Sequence, residues 1–118
     1  MSTRSQGQKS EIVAAFYLQA CGYHIVETNW RYSHYELDIV AYDPESKELT
    51  FVEVKSAKSL ESAYRHLTSN KVNYLSRAIE NYLNQYQYDT IDCQLDLIFM
   101  SHTANQELIT LDHLTDVL

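Results

Sequence analysis

Two apolar segments separated by a short polar break constrain the fold of this 118-residue chain most strongly. The first spans residues 36–42 and the second spans residues 49–55. Both are rich in β-branched and aromatic residues, which favour strands. The break over residues 43–48 contains Pro44 and other turn-forming residues. The pattern predicts a β-hairpin.

Three charged residues, Asp38, Glu53 and Lys55, interrupt these apolar strands. Side chains two positions apart share a face, so Glu53 and Lys55 point to the same side of the sheet. If the hairpin pairs Tyr42 with Leu49, Asp38 lies opposite Glu53, with Cβ atoms roughly 4.5–5.5 Å apart. A slip of one residue would instead move Asp38 to the other face. The expected register therefore gathers two carboxylates and an ammonium group on a half-buried sheet.

This group of charges indicates a particular chemistry. Two neighbouring carboxylates repel each other, and burial makes each charge more costly. Mg²⁺ would remove the repulsion, since it commonly accepts one or two carboxylates together with water and phosphate oxygens. Lys55 would then lie beside a water molecule that it could orient or deprotonate, as in metal-assisted hydrolysis of a phosphodiester. A partly exposed hairpin with a cross-strand Lys–Glu pair is the alternative interpretation.

The order and spacing of several short motifs resemble a known family. Asp38 followed by Glu53-Val54-Lys55 looks like the PD-(D/E)xK signature of the restriction-endonuclease-like nucleases. The wider pattern is similar to the YraN-like family of small bacterial proteins, over roughly residues 7–100. The matching positions are Glu11, Ala14, Leu18, Gly22-Tyr23, Asn29-Trp30-Arg31, Glu36-Leu37-Asp38, Phe51 to Lys55, Lys71, Tyr82-Leu83 and residues 92–96.

The resemblance implies a fold, an activity and a set of site residues. The fold would be a restriction-endonuclease-like core, an α/β mixed sheet flanked by helices in the order αβββαβ, forming a single domain over residues 1–118. The activity would be that of a Mg²⁺- or Mn²⁺-dependent endonuclease hydrolysing DNA, on branched or processed substrates. Asp38 and Glu53 would hold the metal with help from Glu11, and Lys55 would position or activate the attacking water. Resolvases of the superfamily act as dimers, so a homodimer is expected by analogy.

Hydrophobic periodicity predicts the remaining elements. Ser10 is a candidate N-cap of the first helix, which Gly22 would end, and Thr68 or Ser69 could cap the second helix. Glu11 begins the apolar face of the first helix, where a glutamate also suits the helix dipole. The elements are a helix over 8–21, strands over 24–30 and 91–100, a helix over 68–86, an edge strand over 107–111 and a helical turn over 112–116.

The charge of the chain argues against a simple nucleic-acid binder. The net charge is −7, and residues 78–118 contain seven acidic residues and no Lys or Arg. The candidates for contact with a nucleic-acid backbone are Arg31, Lys58, Lys71 and Arg77, each of which could equally face solvent. We therefore expect modest, strongly salt-dependent affinity for DNA. The second hypothesis is a non-catalytic nucleic-acid-binding or scaffold protein that keeps the fold and acts with a protein partner.

Three residues depart from the family pattern. Tyr35 replaces a glycine before the Glu-x-Asp unit, and a bulky ring there would narrow the approach to the metal. Ala57 and Gln94 each replace an arginine, which weakens the expected binding of DNA more than the expected metal site.

The sequence predicts no membrane association. No run approaches ~18 apolar residues, and residues 1–7 lack the apolar core of a signal peptide. Cys21 and Cys93 suggest neither a metal motif nor a disulfide framework. We therefore expect a cytoplasmic protein with two buried thiols.

Overall fold

A computed structural model describes residues 6–88, 90–105 and 107–118. Within these ranges, five strands form one mixed sheet in the order β1-β2-β3-β4-β5. β3 and β4 are parallel, whereas the other neighbouring strands are antiparallel. The elements are α1 (Gln6–Ala20), β1 (His24–Tyr32), β2 (Tyr35–Asp43), β3 (Glu48–Ala57), α2 (Leu60–Tyr64), α3 (Ser69–Gln85), β4 (Cys93–His102) and β5 (Leu108–Leu114).

Helices cover both faces of this sheet. Ala14 and Leu18 of α1 pack against one face, in a core that includes Val52 of β3. Leu75 and neighbouring residues of α3 pack against the opposite face, in a core that includes Phe51. Adjacent residues of β3 thus serve opposite layers, as the alternation of a strand requires. The predicted α/β fold, a mixed sheet flanked by helices, is confirmed.

The β2–β3 hairpin has the predicted register. Tyr42 pairs with Leu49, and the pairing continues to Ile39 and Val52. The connecting turn is stabilised locally, since Asp43 Oδ1 accepts a 2.9 Å hydrogen bond from the Glu45 N–H. The register therefore follows from the apolar pattern and the turn chemistry together.

The predicted ends of α1 are half correct. Gly22 has a φ of +99°, the left-handed conformation that favours glycine after a helix. Ser10, in contrast, is not the N-cap, because α1 begins at Gln6 and Ser10 is buried inside the helix. Thr68 does cap α3, where its Oγ1 accepts a 3.1 Å hydrogen bond from the Lys71 N–H.

The C-terminal segment differs from the prediction. Residues 112–114 belong to β5 rather than to a helical turn. Two tertiary contacts favour the strand, since Tyr64 bonds to Asp112 and His113 bonds to Asp96. The sequence pattern contains no sign of either contact, because both partners lie more than ten residues away.

The cysteines and the membrane were the subject of further expectations. Cys21 is exposed rather than buried, and Cys93 is partly buried. In the ranges that the structure describes, no helix is long and apolar enough to cross a lipid bilayer. The predicted lack of a signal peptide concerns residues 1–7, of which 1–5 lie outside the described residues.

Candidate active site

The alternation of side chains along β2 breaks at Asp38. Leu37 packs in the core on the α3 side, whereas Ile39 packs on the α1 side. In a regular strand these two residues would share a face. Asp38 lies just beyond the last described β2–β3 pair, and its Oδ2 accepts a 2.8 Å hydrogen bond from the Val54 N–H. The break thus turns the Asp38 carboxylate onto the backbone of β3.

Asp38 contacts two glutamates that come from different layers of the fold. Glu11 of α1 forms a side-chain hydrogen bond with Asp38. Glu53 of β3 forms a second such bond, and its side chain is only 15% exposed. We name these three residues the acidic cluster. The structure therefore brings together the three carboxylates that the sequence singled out.

Burial and mutual repulsion hold protons in the acidic cluster near neutral pH. Burial, the charge of Asp38 and the hydrogen bond with Asp38 raise the pKa of Glu53 from 4.5 to about 8. The same three causes raise the pKa of Glu11 from 4.5 to about 7. A bond between two carboxyl groups needs a proton on one of them. In the absence of a compensating cation, the cluster therefore does not carry three full charges at pH 7.

Lys71 is the cation that the structure places at this cluster. Its Nζ lies 3.1 Å from Glu53 Oε2 and 4.9 Å from the centre of the Tyr74 ring. Burial lowers the pKa of Lys71, but the charge of Glu53 and the bond to it outweigh burial and raise that pKa overall. Lys71 thus faces Glu53 in this structure, rather than a free surface as the sequence analysis allowed.

Tyr74 ties α3 to the turn between β1 and β2. Its hydroxyl donates a 2.9 Å hydrogen bond to the His34 carbonyl and accepts a 2.7 Å bond from the Glu36 N–H. Local sequence gave no sign that Lys71 pairs with Glu53 or that Tyr74 bonds to the β1–β2 turn. The Thr68 cap places them in the first turns of α3, but only the tertiary fold brings that part of α3 to β2 and β3.

Lys55 lies two residues after Glu53 on the same strand, as predicted. Both residues line a small cleft of about 140 Å³ together with Lys71. Glu11 and Asp38 instead line a polar cleft of about 250 Å³. The candidate residues therefore occupy two adjacent clefts, and the contact between Asp38 and Glu53 connects them.

The other basic candidates lie at different distances from these clefts. Arg31 lines the polar cleft and is 3.5 Å from Glu36 in an exposed ion pair. Lys58 follows β3 and is exposed. Arg77 is exposed in the middle of α3. Arg31 and Lys71 thus lie at the site, whereas the structure records no contact of Lys58 or Arg77 with the acidic cluster.

The departures from the family pattern have structural explanations. The Tyr35 ring contacts the rings of His34 and Tyr74 at a tilt, with centroids 4.1 and 5.5 Å away, and packs against the α3-side core. Its ring is therefore accommodated by α3. Gln94 donates a 2.9 Å hydrogen bond to Asp96, and Ala57 packs against the small core of Leu97 and Phe99.

Asp96 does not serve the acidic cluster as a supporting group. Its side chain is fully buried and bonds to Gln94, His113 and the Asp116 N–H. His113 in turn bonds to the Tyr17 hydroxyl at 2.9 Å. This network links β4 to β5 and α1, and we interpret it as structural.

The donor atoms of the acidic cluster suit a hard divalent cation. In the described part of the chain, no group of three or more His, Cys, Asp or Glu side chains is arranged to hold a metal ion. Mg²⁺ needs only one or two carboxylates, because water completes its octahedral shell. Asp38 and Glu53 provide that pair, and a cation would offset the repulsion between them. The residues present thus fit Mg²⁺ or Mn²⁺ as a partial ligand set.

The fold and these residues define the class of protein. It is an α/β protein with a mixed sheet, in which carboxylates from α1, β2 and β3 meet where β2 and β3 separate. The chain belongs to the uncharacterised protein family UPF0102, which it matches over residues 10–100. The resemblance to the YraN-like family is thereby confirmed, since the two are one family.

Relatives in several bacteria match most of the chain. It is 36% identical to a UPF0102 protein of Chlorobium chlorochromatii over 98% of this chain and 92% of the relative. A UPF0102 protein of Dichelobacter nodosus is 36% identical over 86% of this chain and 80% of its own length. A third, from Helicobacter hepaticus, is 32% identical over 86% of this chain and 89% of its own length. These names carry no activity, so the function is argued from the site.

Proposed function

We propose that this protein is a metal-dependent nuclease that hydrolyses phosphodiester bonds in DNA. The observation that carries the proposal is the acidic cluster, in which Glu11 and Glu53 both bond to Asp38 and Glu53 lines a cleft with Lys55. Burying like charges together is costly. A function that requires a divalent cation explains why the fold accepts that cost. The enzyme would act in the cytoplasm.

Each residue of the site has a chemical role in this proposal. Asp38 and Glu53 would hold Mg²⁺ or Mn²⁺, and Glu11 would assist through its bond to Asp38. A bound divalent cation supplies Lewis acidity and charge compensation at the phosphate. Lys55 would orient the attacking water and stabilise charge on the phosphate. The Val54 N–H would hold Asp38 in place by its hydrogen bond to one carboxylate oxygen.

The substrate would be held by few positive charges. Arg31 and Lys71 lie beside the clefts, and Lys58 and Arg77 would contact the backbone farther away. The net charge of −7 opposes tight association with DNA. A partner protein or a second copy of the chain would supply the missing basic surface.

One observation favours the non-catalytic alternative. Lys71 Nζ lies 3.1 Å from Glu53 Oε2, so the fold gives this carboxyl group a partner without a metal ion. Under this alternative the protein would bind nucleic acid or serve as a scaffold with a partner. Lys55 distinguishes the two hypotheses, because a scaffold does not need an ammonium group beside Glu53.

A cleavage panel with a matched variant tests the proposal. Linear duplex, single-stranded, flap and four-way-junction DNA would be incubated at low salt with Mg²⁺ or Mn²⁺. We expect metal-dependent cleavage of at least one substrate and a loss of at least about 100-fold in Lys55→Ala, the usual scale for a positioned catalytic group. Calorimetry should show that Lys55→Ala still binds the metal.

Two results would decide against the enzyme. If the wild-type protein cuts none of the substrates and calorimetry detects no metal binding, the non-catalytic alternative replaces the proposal. If Lys55→Ala cuts as fast as the wild type, the catalytic role of Lys55 is wrong.

A further inference from the structure

An apolar groove lies between α1 and β1, next to the acidic cluster. Its volume is about 370 Å³, and Ile12, Ala15 and Phe16 form its apolar wall. Phe16 is 68% exposed, which is unusual for the residue with the largest apolar side chain of a helix. Gln19 and Asn29 add amide groups to the rim.

The groove is continuous with the candidate active site. Gln8, Glu11 and Asn29 line both the groove and the polar cleft that contains Asp38. A polymer that reaches Asp38 from this side therefore passes along the groove. The occupant should be an extension of the substrate rather than an unrelated ligand.

Asn29 lies where the apolar groove meets the polar cleft. Its φ is +54°, although it lies in the middle of a strand. The pairs on either side of it are Thr28–Ile39 and Trp30–Leu37, so Asn29 is level with Asp38. A non-glycine residue with positive φ often marks a functional site. Its amide offers both a donor and an acceptor, as the edges of nucleobases do.

We propose that this groove binds one unpaired nucleobase of a single-stranded segment, next to the phosphate at the acidic cluster. Phe16 would stack on the base, and Asn29 would contact its edge. The inference rests on the proposed function and specifies the substrate as DNA with at least one unpaired nucleotide beside the cleavage position.

The chemistry of the groove favours a base over other occupants. Among its described lining residues none is basic and Glu11 is acidic, so a phosphate is disfavoured and a neutral ring is accepted. Only an unpaired base can offer its face to an aromatic side chain, because paired bases stack on their neighbours. The apolar wall and amide rim together match a flat ring with a polar edge.

Binding of a fluorescent single strand tests this inference directly. The probe is a phosphorothioate-linked oligonucleotide that resists hydrolysis and contains one 2-aminopurine, whose fluorescence falls when the base stacks. With Mg²⁺ present, we expect the wild-type protein to bind the probe and quench it. Phe16→Leu, which keeps an apolar side chain but removes the ring, should raise Kd about 5- to 100-fold and lose the quenching.

A matched variant controls for the general loss of an exposed aromatic ring. Tyr86 is 42% exposed after α3, where it contacts Tyr82 and Tyr88 rather than the groove. Tyr86→Leu should bind and quench as the wild type does. If Tyr86→Leu has the larger effect, bases stack on the tyrosines and the groove is not the site.

The role of Asn29 has its own variant. Asn29→Gly removes the amide but accepts the positive φ without strain. We expect it to reduce the difference in affinity among probes that vary in one base, with stacking retained. An unchanged preference would show that Asn29 does not contact the base.

The remaining outcomes separate this inference from the proposed function. If the protein cleaves DNA and Phe16→Leu binds the probe like the wild type, the groove inference fails and the nuclease stands. If the protein neither cleaves nor binds metal, but Phe16 is needed for quenching, the nuclease fails and the base site stands. If sedimentation shows a dimer that Phe16→Leu dissociates, the groove is an interface between two copies and the inference is overturned.

Discussion

Lys71 and Asp38 act on the charge of Glu53 in opposite directions. Asp38 favours the protonated form of Glu53 by repulsion, whereas Lys71 favours the charged form at a distance of 3.1 Å. Burial is the largest cause and acts in the same direction as Asp38, so the pKa of Glu53 rises to about 8 overall. A cation beside Asp38 would reverse this balance, because it would favour both carboxylates in their charged forms. Two predictions follow from these individual residues.

The metal-free protein should become less stable as the pH rises from 6 to 8.5. Glu53 and Glu11 have folded-state pKa values near 8 and 7, above their ordinary 4.5. The folded state therefore holds protons that the unfolded state releases. The associated stability is fully present below about pH 4.5 and is lost as the pH rises through about 7 and 8.

Chemical denaturation in the presence of a chelator measures this effect. We expect a loss on the order of 2 kcal/mol, mostly from the poorly exposed Glu53. Glu53→Gln, which cannot ionise, should flatten the pH dependence. An equally steep loss in Glu53→Gln would place the responsible group elsewhere.

Lys71→Met should bind Mg²⁺ or Mn²⁺ more tightly than the wild type. The substitution removes the cation that competes for Glu53, and an ion pair of this exposure is worth up to about 1 kcal/mol. We therefore expect a gain of about three- to fivefold in metal affinity by calorimetry, with weaker binding of DNA. Arg77→Met removes a charge from the same helix away from Glu53, so its metal affinity should not change. Equal gains in both variants would indicate only a general charge effect.

The parts of the site that lie within one hairpin could be predicted from the sequence, whereas the contacts between separate elements could not. The β2–β3 register was predictable, because the turn and the apolar pattern both specify the pairing of Tyr42 with Leu49. That register placed Asp38 near Glu53. The change of face between Leu37 and Ile39 was not predictable, since local sequence does not determine where paired strands separate. The contact between Lys71 and Glu53 likewise depends on how the β3–β4 crossover packs.

Capping of α3 should stabilise both the helix and the site. Thr68→Ala removes the acceptor for the Lys71 N–H and should lower the free energy of unfolding by about 1 kcal/mol. It should also loosen the first turn, which carries Lys71. Ser69→Ala is the control, because Ser69 is exposed at the next position and is not the cap. Thermal denaturation of both variants measures the difference, and equal stabilities would contradict the role of Thr68.

At the scale of the whole molecule, charge limits the interaction with nucleic acid. All nine Lys and Arg residues precede residue 78, and the rest of the chain is acidic. Arg31 and Lys71 are paired with glutamates, so their charges are partly neutralised within the protein. Such a surface favours brief contact with a substrate that the site itself recognises.

The affinity for duplex DNA should therefore fall strongly as the salt concentration rises. Three or four phosphate contacts, from among Arg31, Lys58, Lys71 and Arg77, give a loss of about 50- to 150-fold between 50 and 200 mM salt. Fluorescence anisotropy with a labelled duplex measures this dependence. A loss above about 1,000-fold would reveal basic surface that this chain does not carry, such as a copurifying partner.

The hydrogen bond from Val54 to Asp38 has a spectroscopic consequence. An amide proton held by a carboxylate is deshielded, and its resonance follows the electron density on the acceptor oxygen. The Val54 N–H lies at one end of the acidic cluster. Its cross-peak in a ¹H–¹⁵N correlation spectrum should therefore lie downfield. In a titration with a diamagnetic cation such as Mg²⁺, this peak should shift at the first additions of the cation. One backbone resonance would then report the occupancy of the site.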